Sequence, residues 1–307
     1  MKFTNNTPLE IVLKAIFDPY KASVADVEVI SQAMMEKEMI SSEEDIVNDH
    51  IAFRTLGVPN LGIASLEKIF LALGYQKKEA YYFAEKKLDA YWYAPPGPKY
   101  PRIFISELRV HELSLKSQGI IKRYTSEITE DPVDRLNLDN PKEVGEFFYR
   151  PLWQVPTLDE FLELSKESEY AAWVIYNRYY LNHYTISVHE LPEPYNRLET
   201  FNTFLEETGI VLNTAGGKLK KSKDGLLKQS SSVAKMVNAT FANGEQMKIA
   251  GSYVEFAERL PLPEFEDMEK NLLRREHLRE GFEAGNADKI FESTYNDQVQ
   301  KLAKTHS

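Results

Sequence analysis

The sequence predicts an α+β fold in which one βαβββ unit occurs twice, with added helices before, between and after the units. Three observations carry this. Two runs that alternate like strands each bear a histidine, His50 and His183. Each is followed by an amphipathic stretch that stops at a glycine, Gly74 or Gly209. Each unit then reaches a late strand-like run carrying a glutamate, Glu107 or Glu255.

The elements follow in order. Ile11, Val12, Ala15 and Ile16 recur at helical spacing, and a second such stretch runs over 24–34, so residues 1–45 form a helical segment. The first unit spans 46–119. It opens on the alternating run Asp49-His50-Ile51-Ala52-Phe53-Arg54-Thr55-Leu56, passes a loop with Gly57, Pro59 and Gly62, and continues into a helix over 65–73. Strands over 80–85 and 88–94 follow, joined by Lys86-Lys87. The turn Pro95-Pro96-Gly97-Pro98 then leads to a strand over 102–108. Residues 120–175 read as a mainly helical connector. The second unit, 176–260, opens on Asn182-His183-Tyr184-Thr185-Ile186-Ser187-Val188-His189. It continues through a helix over 197–207, a strand over 210–214, a basic turn at 220–223, and strands over 226–234 and 252–258. Residues 261–307 form a charged helical tail that closes the site.

Composition narrows the function. Of 307 residues, 43% are hydrophobic and 27% charged, which suits a globular chain with a sizeable core. The formal net charge of -10 argues against nucleic acid and anionic membranes as partners, while a local arginine or metal still admits a small anion. With no cysteine, thiolate ligands, cysteine nucleophiles and disulfides are excluded. No apolar run suits a signal peptide or a membrane span, so a cytoplasmic location is expected.

Strand side chains alternate faces. His50, Ala52 and Arg54 therefore share one face, as do His183, Thr185 and Ser187, with apolar residues opposite. Two such polar faces meeting in one cavity bring two imidazoles together with Glu255. Two histidines, one carboxylate and open positions suit non-haem Fe(II). A single strand histidine is more often structural, and repeat placement is what raises this pair to ligand candidates. Glu107 is read as the repeat counterpart of Glu255, either a fourth ligand or a structural acid. Arg54, about 13 Å along the strand from His50, either folds back to hold a substrate carboxylate or makes a surface ion pair. Gln229-Ser230-Ser231-Ser232 lines the pocket or forms an exposed edge. The stretch 281–288, with Gly285 and Asn286, is a lid or a plain turn. His111, His189, His277 and His306 are weaker candidates.

Five motifs carry a resemblance. They are Asp49-His50-Ile51-Ala52-Phe53-Arg54, Asn182-His183-Tyr184-Thr185, Leu227-Lys228-Gln229-Ser230-Ser231, Gly251-Ser252-Tyr253-Val254-Glu255-Phe256 and Asn286-Ala287-Asp288-Lys289-Ile290-Phe291-Glu292-Ser293. Together, over residues 45–295, they resemble the 2-oxoadipate dioxygenase/decarboxylase (2-hydroxyglutarate synthase) family. The resemblance implies a vicinal-oxygen-chelate (glyoxalase/dioxygenase-like) fold. It implies Fe(II) held by His50, His183 and Glu255, with Zn or Ni as the metals a purified sample can hold instead. It implies a 2-oxo acid and O2 as small-molecule partners, and release of CO2 to leave a 2-hydroxy acid. Arg54 becomes the catalytic-site binder of the substrate carboxylate, with Gln229, Ser230, Gly285 and Asn286 as further substrate contacts. A glyoxalase-like lyase or isomerase, or a metal-dependent hydrolase, is the alternative on the same fold and would use Glu107. A binding protein with structural histidines is the third reading.

Overall fold

The computed structural model describes residues 7–305, with side chains through residue 300; His306 lies outside them. Helices α1 (Pro8–Ser23) and α2 (Ala25–Glu36) come first. The first unit is β1 (Asn48–Leu56), α3 (Ile63–Ala72), β2 (Gln76–Phe83), β3 (Leu88–Ala94) and β4 (Arg102–Leu108). Helices α4 (Leu115–Thr125), α5 (Pro141–Phe147), α6 (Leu158–Glu167) and α7 (Glu169–Asn177) connect it to the second. That unit has β5 (His183–Ser187), α8 (Leu198–Glu207), β6 (Lys220–Lys221), β7 (Leu227–Ser231), the hairpin β8 (Met236–Thr240) and β9 (Gln246–Ala250), and β10 (Tyr253–Arg259). Helices α9 (Ala284–Ile290) and α10 (Asn296–Thr305) end the chain.

The strands form one eight-stranded sheet in the order β2-β3-β4-β1-β5-β10-β7-β6. The order reads outward from the centre in two matching halves. β1 pairs β4 in parallel, β5 pairs β10 in parallel, and β1 joins β5 antiparallel. The α+β fold and the repeated βαβββ order are as the sequence predicts. Some details differ. Residues 210–214 contribute only the single bridge Leu212 to Ser232, the expected basic turn holds the two-residue β6, and β8–β9 is a separate two-stranded sheet. Much of that hairpin is exposed, so it carries little of the apolar alternation that marks a half-buried strand.

The two faces of the large sheet have opposite chemistry. The apolar face is buried under helices. Phe53 packs on Phe70 of α3 at 5.5 Å between ring centroids, Tyr184 on Phe17 of α1 at 5.2 Å, and Phe256 on Phe201 of α8 at 5.5 Å. Each such side chain contributes about 1.5–3 kcal/mol on burial. The other face carries His50, Arg54, His183, Gln229 and Glu255, and it too is buried. α7 and the segment 281–295 cover it. A polar face sealed from water must satisfy its groups internally, and this requirement builds the site. No helix among the described residues is long and apolar enough to cross a membrane.

Candidate metal centre

The central pair β1–β5 sets Ala52 opposite His183, and the parallel pair β5–β10 sets Thr185 opposite Glu255. Paired residues point to the same face, so residues 133 positions apart converge there. His183 Nε2 lies 3.0 Å from Glu255 Oε2, His50 Nε2 lies 3.5 Å from it, and the two Nε2 atoms are 3.4 Å apart. Ligands about 2.1 Å from one ion stand about 3.0 Å apart at right angles and about 3.4 Å apart in a tetrahedron. The donor set therefore fits a metal ion. His50 (2% exposed), His183 and Glu255 form a buried cluster of three side chains that could hold a metal ion, found among the described residues.

Each ligand is held from behind. His50 Nδ1 donates to Asp49 Oδ1 at 2.8 Å, and His183 Nδ1 donates to Asn182 Oδ1 at 3.1 Å. Both bonds leave Nε2 as the unprotonated nitrogen that a metal would take, with Thr185 Oγ1 3.0 Å from that of His50. Gln229 Nε2 donates to Glu255 Oε1 at 2.7 Å, leaving Oε2 toward the histidines. Burial pushes the Glu255 carboxyl up, but His50 and His183 outweigh it and hold the acid well below the usual range. Burial pushes His50 down, but Glu255 and Asp49 reverse the shift and raise it. In His183 burial wins over Glu255, and the ring is lowered. Asp49 behind His50 helps to raise that ring, whereas a neutral amide stands behind His183, and His50 and Arg54 lower it further.

Asp49 is the largest feature the sequence reading missed. An ideal strand would turn it away from His50, but the β1–β5 register shifts between Asn48 and Ile51. Asp49 accepts from Arg259 Nε at 2.6 Å and Nη2 at 2.9 Å, and from Arg102 Nη1 at 3.1 Å. Burial raises its carboxyl, and the two guanidiniums more than reverse that. Arg259 also donates to the carbonyls of Arg279 and Gly281, and Arg102 pairs with Glu280. These bonds fasten the chain that carries Phe282 against His50, at 4.8 Å between ring centroids. Phe282, Phe104, Tyr253 and Phe291 wall a residual cavity of about 20 Å³ at the triad, room for about one water or ion.

The remaining candidates divide. Arg54 is buried, donates to Thr294 Oγ1 and the Phe291 carbonyl at 2.9 Å each, and lies over the rings of Tyr170 and Trp173. Its Nε has no hydrogen-bond partner and it makes no ion pair within 4 Å among the described residues, although Glu169 is near enough to feel its charge. The surface ion pair considered for it is thus absent. Asn286 is buried and donates to Gln229 Oε1 at 3.0 Å. Ser230 is not brought to the site: it pairs with Phe256 on the opposite face and donates to Asn202. Gly285 lies exposed on α9, where an added Cβ would meet nothing within 4 Å.

Glu107 is also elsewhere. Its Oε2 accepts from Ile63 N at 2.7 Å, at the N-terminus of α3, with Gly62 so close that a Cβ there would stand 2.0 Å from it. Matching the two parallel pairs corrects the repeat. His50 lies opposite Arg102 and His183 opposite Tyr253. By that register Glu107 corresponds to Glu258, which accepts from Leu198 N at the start of α8. The counterpart of Glu255 is Phe104. The position a fourth ligand would take is filled by a phenyl ring, which removes the basis for a Glu107-dependent lyase site. His111 is exposed, His189 lies beyond Arg259, and His277 stacks on Phe265, so none joins the cluster.

Comparison with known proteins gives the family. The family profile of 2-oxoadipate dioxygenase/decarboxylase matches residues 12–267. The chloroplastic 2-oxoadipate dioxygenase/decarboxylase of Arabidopsis thaliana is 43% identical over 278 residues, covering 86% of this chain and 73% of the relative. The chloroplastic/amyloplastic protein of the same name from Oryza sativa subsp. japonica is 46% identical over 269 residues, covering 84% and 72%. The crystal structure of hydroxyglutarate synthase from Oryza sativa, in complex with 2-oxoadipate, superimposes with a TM-score of 0.85 at 42% identity, covering 94% of this chain and 92% of that one. The cytoplasmic expectation does not stand, since both of these curated relatives are plastid proteins. Composition and the lack of a long apolar run do not encode a compartment.

Proposed function

The chain belongs to the 2-oxoadipate dioxygenase/decarboxylase family, and from that premise we propose that it is a non-haem Fe(II) enzyme acting on 2-oxoadipate or a close 2-oxo diacid. In this reading His50, His183 and Glu255 hold the iron, and Arg54 receives a substrate carboxylate. The products are CO2 and a 2-hydroxy acid one carbon shorter, 2-hydroxyglutarate from 2-oxoadipate. The atoms balance without an added reductant. The C1–C2 bond breaks and C1 leaves as CO2, one oxygen of O2 completes a carboxylate at C2, and the other becomes the hydroxyl at C3.

One observation carries the reading: a buried three-ligand cluster shares its enclosed face with a buried arginine that has no carboxylate partner. A buried cation with no carboxylate in direct contact is costly, so this face suits an anion. Its planar fork suits a carboxylate bidentately. Iron, when bound, supplies a chelation point for the keto acid and activates dioxygen. The protein does the rest. The Nδ1 bonds of His50 and His183 keep both Nε2 atoms aimed inward. Phe104, Phe282 and Phe291 keep the cavity dry, which strengthens every charge interaction in it. A six-carbon diacid exceeds about 20 Å³, so its binding requires side chains of the cavity wall to move apart.

The test is oxygen uptake by anaerobically Fe(II)-loaded protein on adding 2-oxoadipate. Uptake, CO2 and 2-hydroxyglutarate should appear in equal amounts, and His183→Ala should abolish all three. Arg54→Met should raise KM at least about 20-fold, the equivalent of about 2 kcal/mol for a lost buried charge contact. Protein with iron bound and no turnover across 2-oxo acids of four to seven carbons would overturn the proposal.

A further inference from the structure

Gln229 is expected from sequence to touch substrate, but both ends of its amide are already engaged. Nε2 donates to Glu255 Oε1 at 2.7 Å, and Oε1 accepts from Asn286 Nδ2 at 3.0 Å. Gln229, Glu255 and Asn286 are 2%, 1% and 3% exposed, so water does not compete for these bonds. Asn286 sits on α9, Gln229 on β7 and Glu255 on β10, so three separate elements fix one carboxylate.

We propose that Gln229 is a positioning residue that confines Glu255 to one-oxygen ligation, and that Asn286 sets the direction of its amide. The chemistry follows from donors and acceptors. With Asn286 donating to the amide oxygen, the NH2 end must face Glu255, since a flip would set two oxygens against each other. That bond turns Oε1 toward Gln229, and Oε2, 3.0 Å from His183 and 3.5 Å from His50, is the oxygen that faces the metal position. Two imidazoles and one oxygen leave three places on a six-coordinate ion. A carboxylate rotated to bind through both oxygens would take one of them. A chelating 2-oxo acid and dioxygen together need all three. Gln229 therefore keeps open the place the reaction requires.

This inference rests on the metal reading of the triad, and the experiment separates the two. Co(II) is titrated into the wild type, Gln229→Leu, Asn286→Ala and Asn202→Ala. Chelator competition gives affinity, visible absorption gives coordination, and thermal melting establishes folding. Gln229→Leu should weaken Co(II) binding about 10–100-fold and change the intensity of the visible bands. Asn286→Ala should shift both in the same direction by less. Asn202→Ala removes a comparable buried bond on the opposite face, to Ser230, and should leave affinity within about twofold. A folded Gln229→Leu with wild-type affinity and spectrum overturns the proposal, as does an equal loss in Asn202→Ala. If Gln229→Leu does not fold, an unchanged Asn286→Ala overturns it. Wild type that takes up no Co(II) at the triad overturns the metal reading itself.

Discussion

Replacing Asp49 by Asn tests the charged frame behind the metal centre. The carboxylate accepts four hydrogen bonds: one from His50, two from Arg259 and one from Arg102. The change is nearly isosteric, so packing is kept while the charge and one acceptor oxygen are lost. Arg102 retains Glu280. Arg259, 1% exposed, retains only backbone carbonyls, since Asp49 is its one carboxylate within 4 Å among the described residues. Stranding one buried charge costs about 3–5 kcal/mol, against a total stability of about 5–15 kcal/mol. The variant should therefore fold but melt early. The amide cannot satisfy His50 through its oxygen and also avoid pointing its NH2 at a guanidinium. His50 loses its fixed orientation, and metal affinity should fall about 10–100-fold. Urea unfolding at pH 7 and Co(II) titration measure the two effects. A stability loss under about 1 kcal/mol with unchanged metal affinity would refute the account of Asp49 as the shared anchor.

Two further outcomes follow from the same structure. Glu107→Ala should cost about 1 kcal/mol, as expected for a lost helix cap, and leave metal stoichiometry unchanged; a lost metal ion would restore Glu107 as a ligand. His189 is lowered from 6.5 to about 4, chiefly by burial. Its depressed value means the unfolded chain takes up the proton first, so this stability is present above about pH 6.5 and is lost as pH falls toward 4. His189→Gln should flatten that limb in urea midpoints taken at pH 7, 5.5 and 4, and an unchanged limb would show that other groups carry it.

Much of the centre was legible because period-two alternation is local. It assigned His50 and Arg54 to one face of β1, and His183 and Thr185 to one face of β5, from the residues themselves. The repeated order then brought in Glu255. Register was not legible, since a strand's pattern does not state which residue it meets. That is why Glu107 was matched to Glu255 when its partner is Glu258, three positions on. Ser230 failed for a related reason: in a run of polar residues the alternation is silent, and only pairing with β10 shows that Gln229 faces the centre and Ser230 does not. A signal for Asp49 was present. Asp49-His50 and Asn182-His183 repeat a polar acceptor before each ligand histidine, and both acceptors bond Nδ1.

By itself, then, the sequence determined the α+β class, the doubled βαβββ order and the family, whose motifs single out His50, His183 and Glu255. These depend on spacing along one chain. Tertiary structure alone decided how the ligands are held. The anchor Arg259 lies 210 residues from Asp49, Asn286 lies 57 from Gln229, and Phe104 occupies the fourth corner only because β4 lies parallel to β1. Charge compensation and hydrogen-bond direction act across space between groups buried together, and no local pattern records which distant groups those will be.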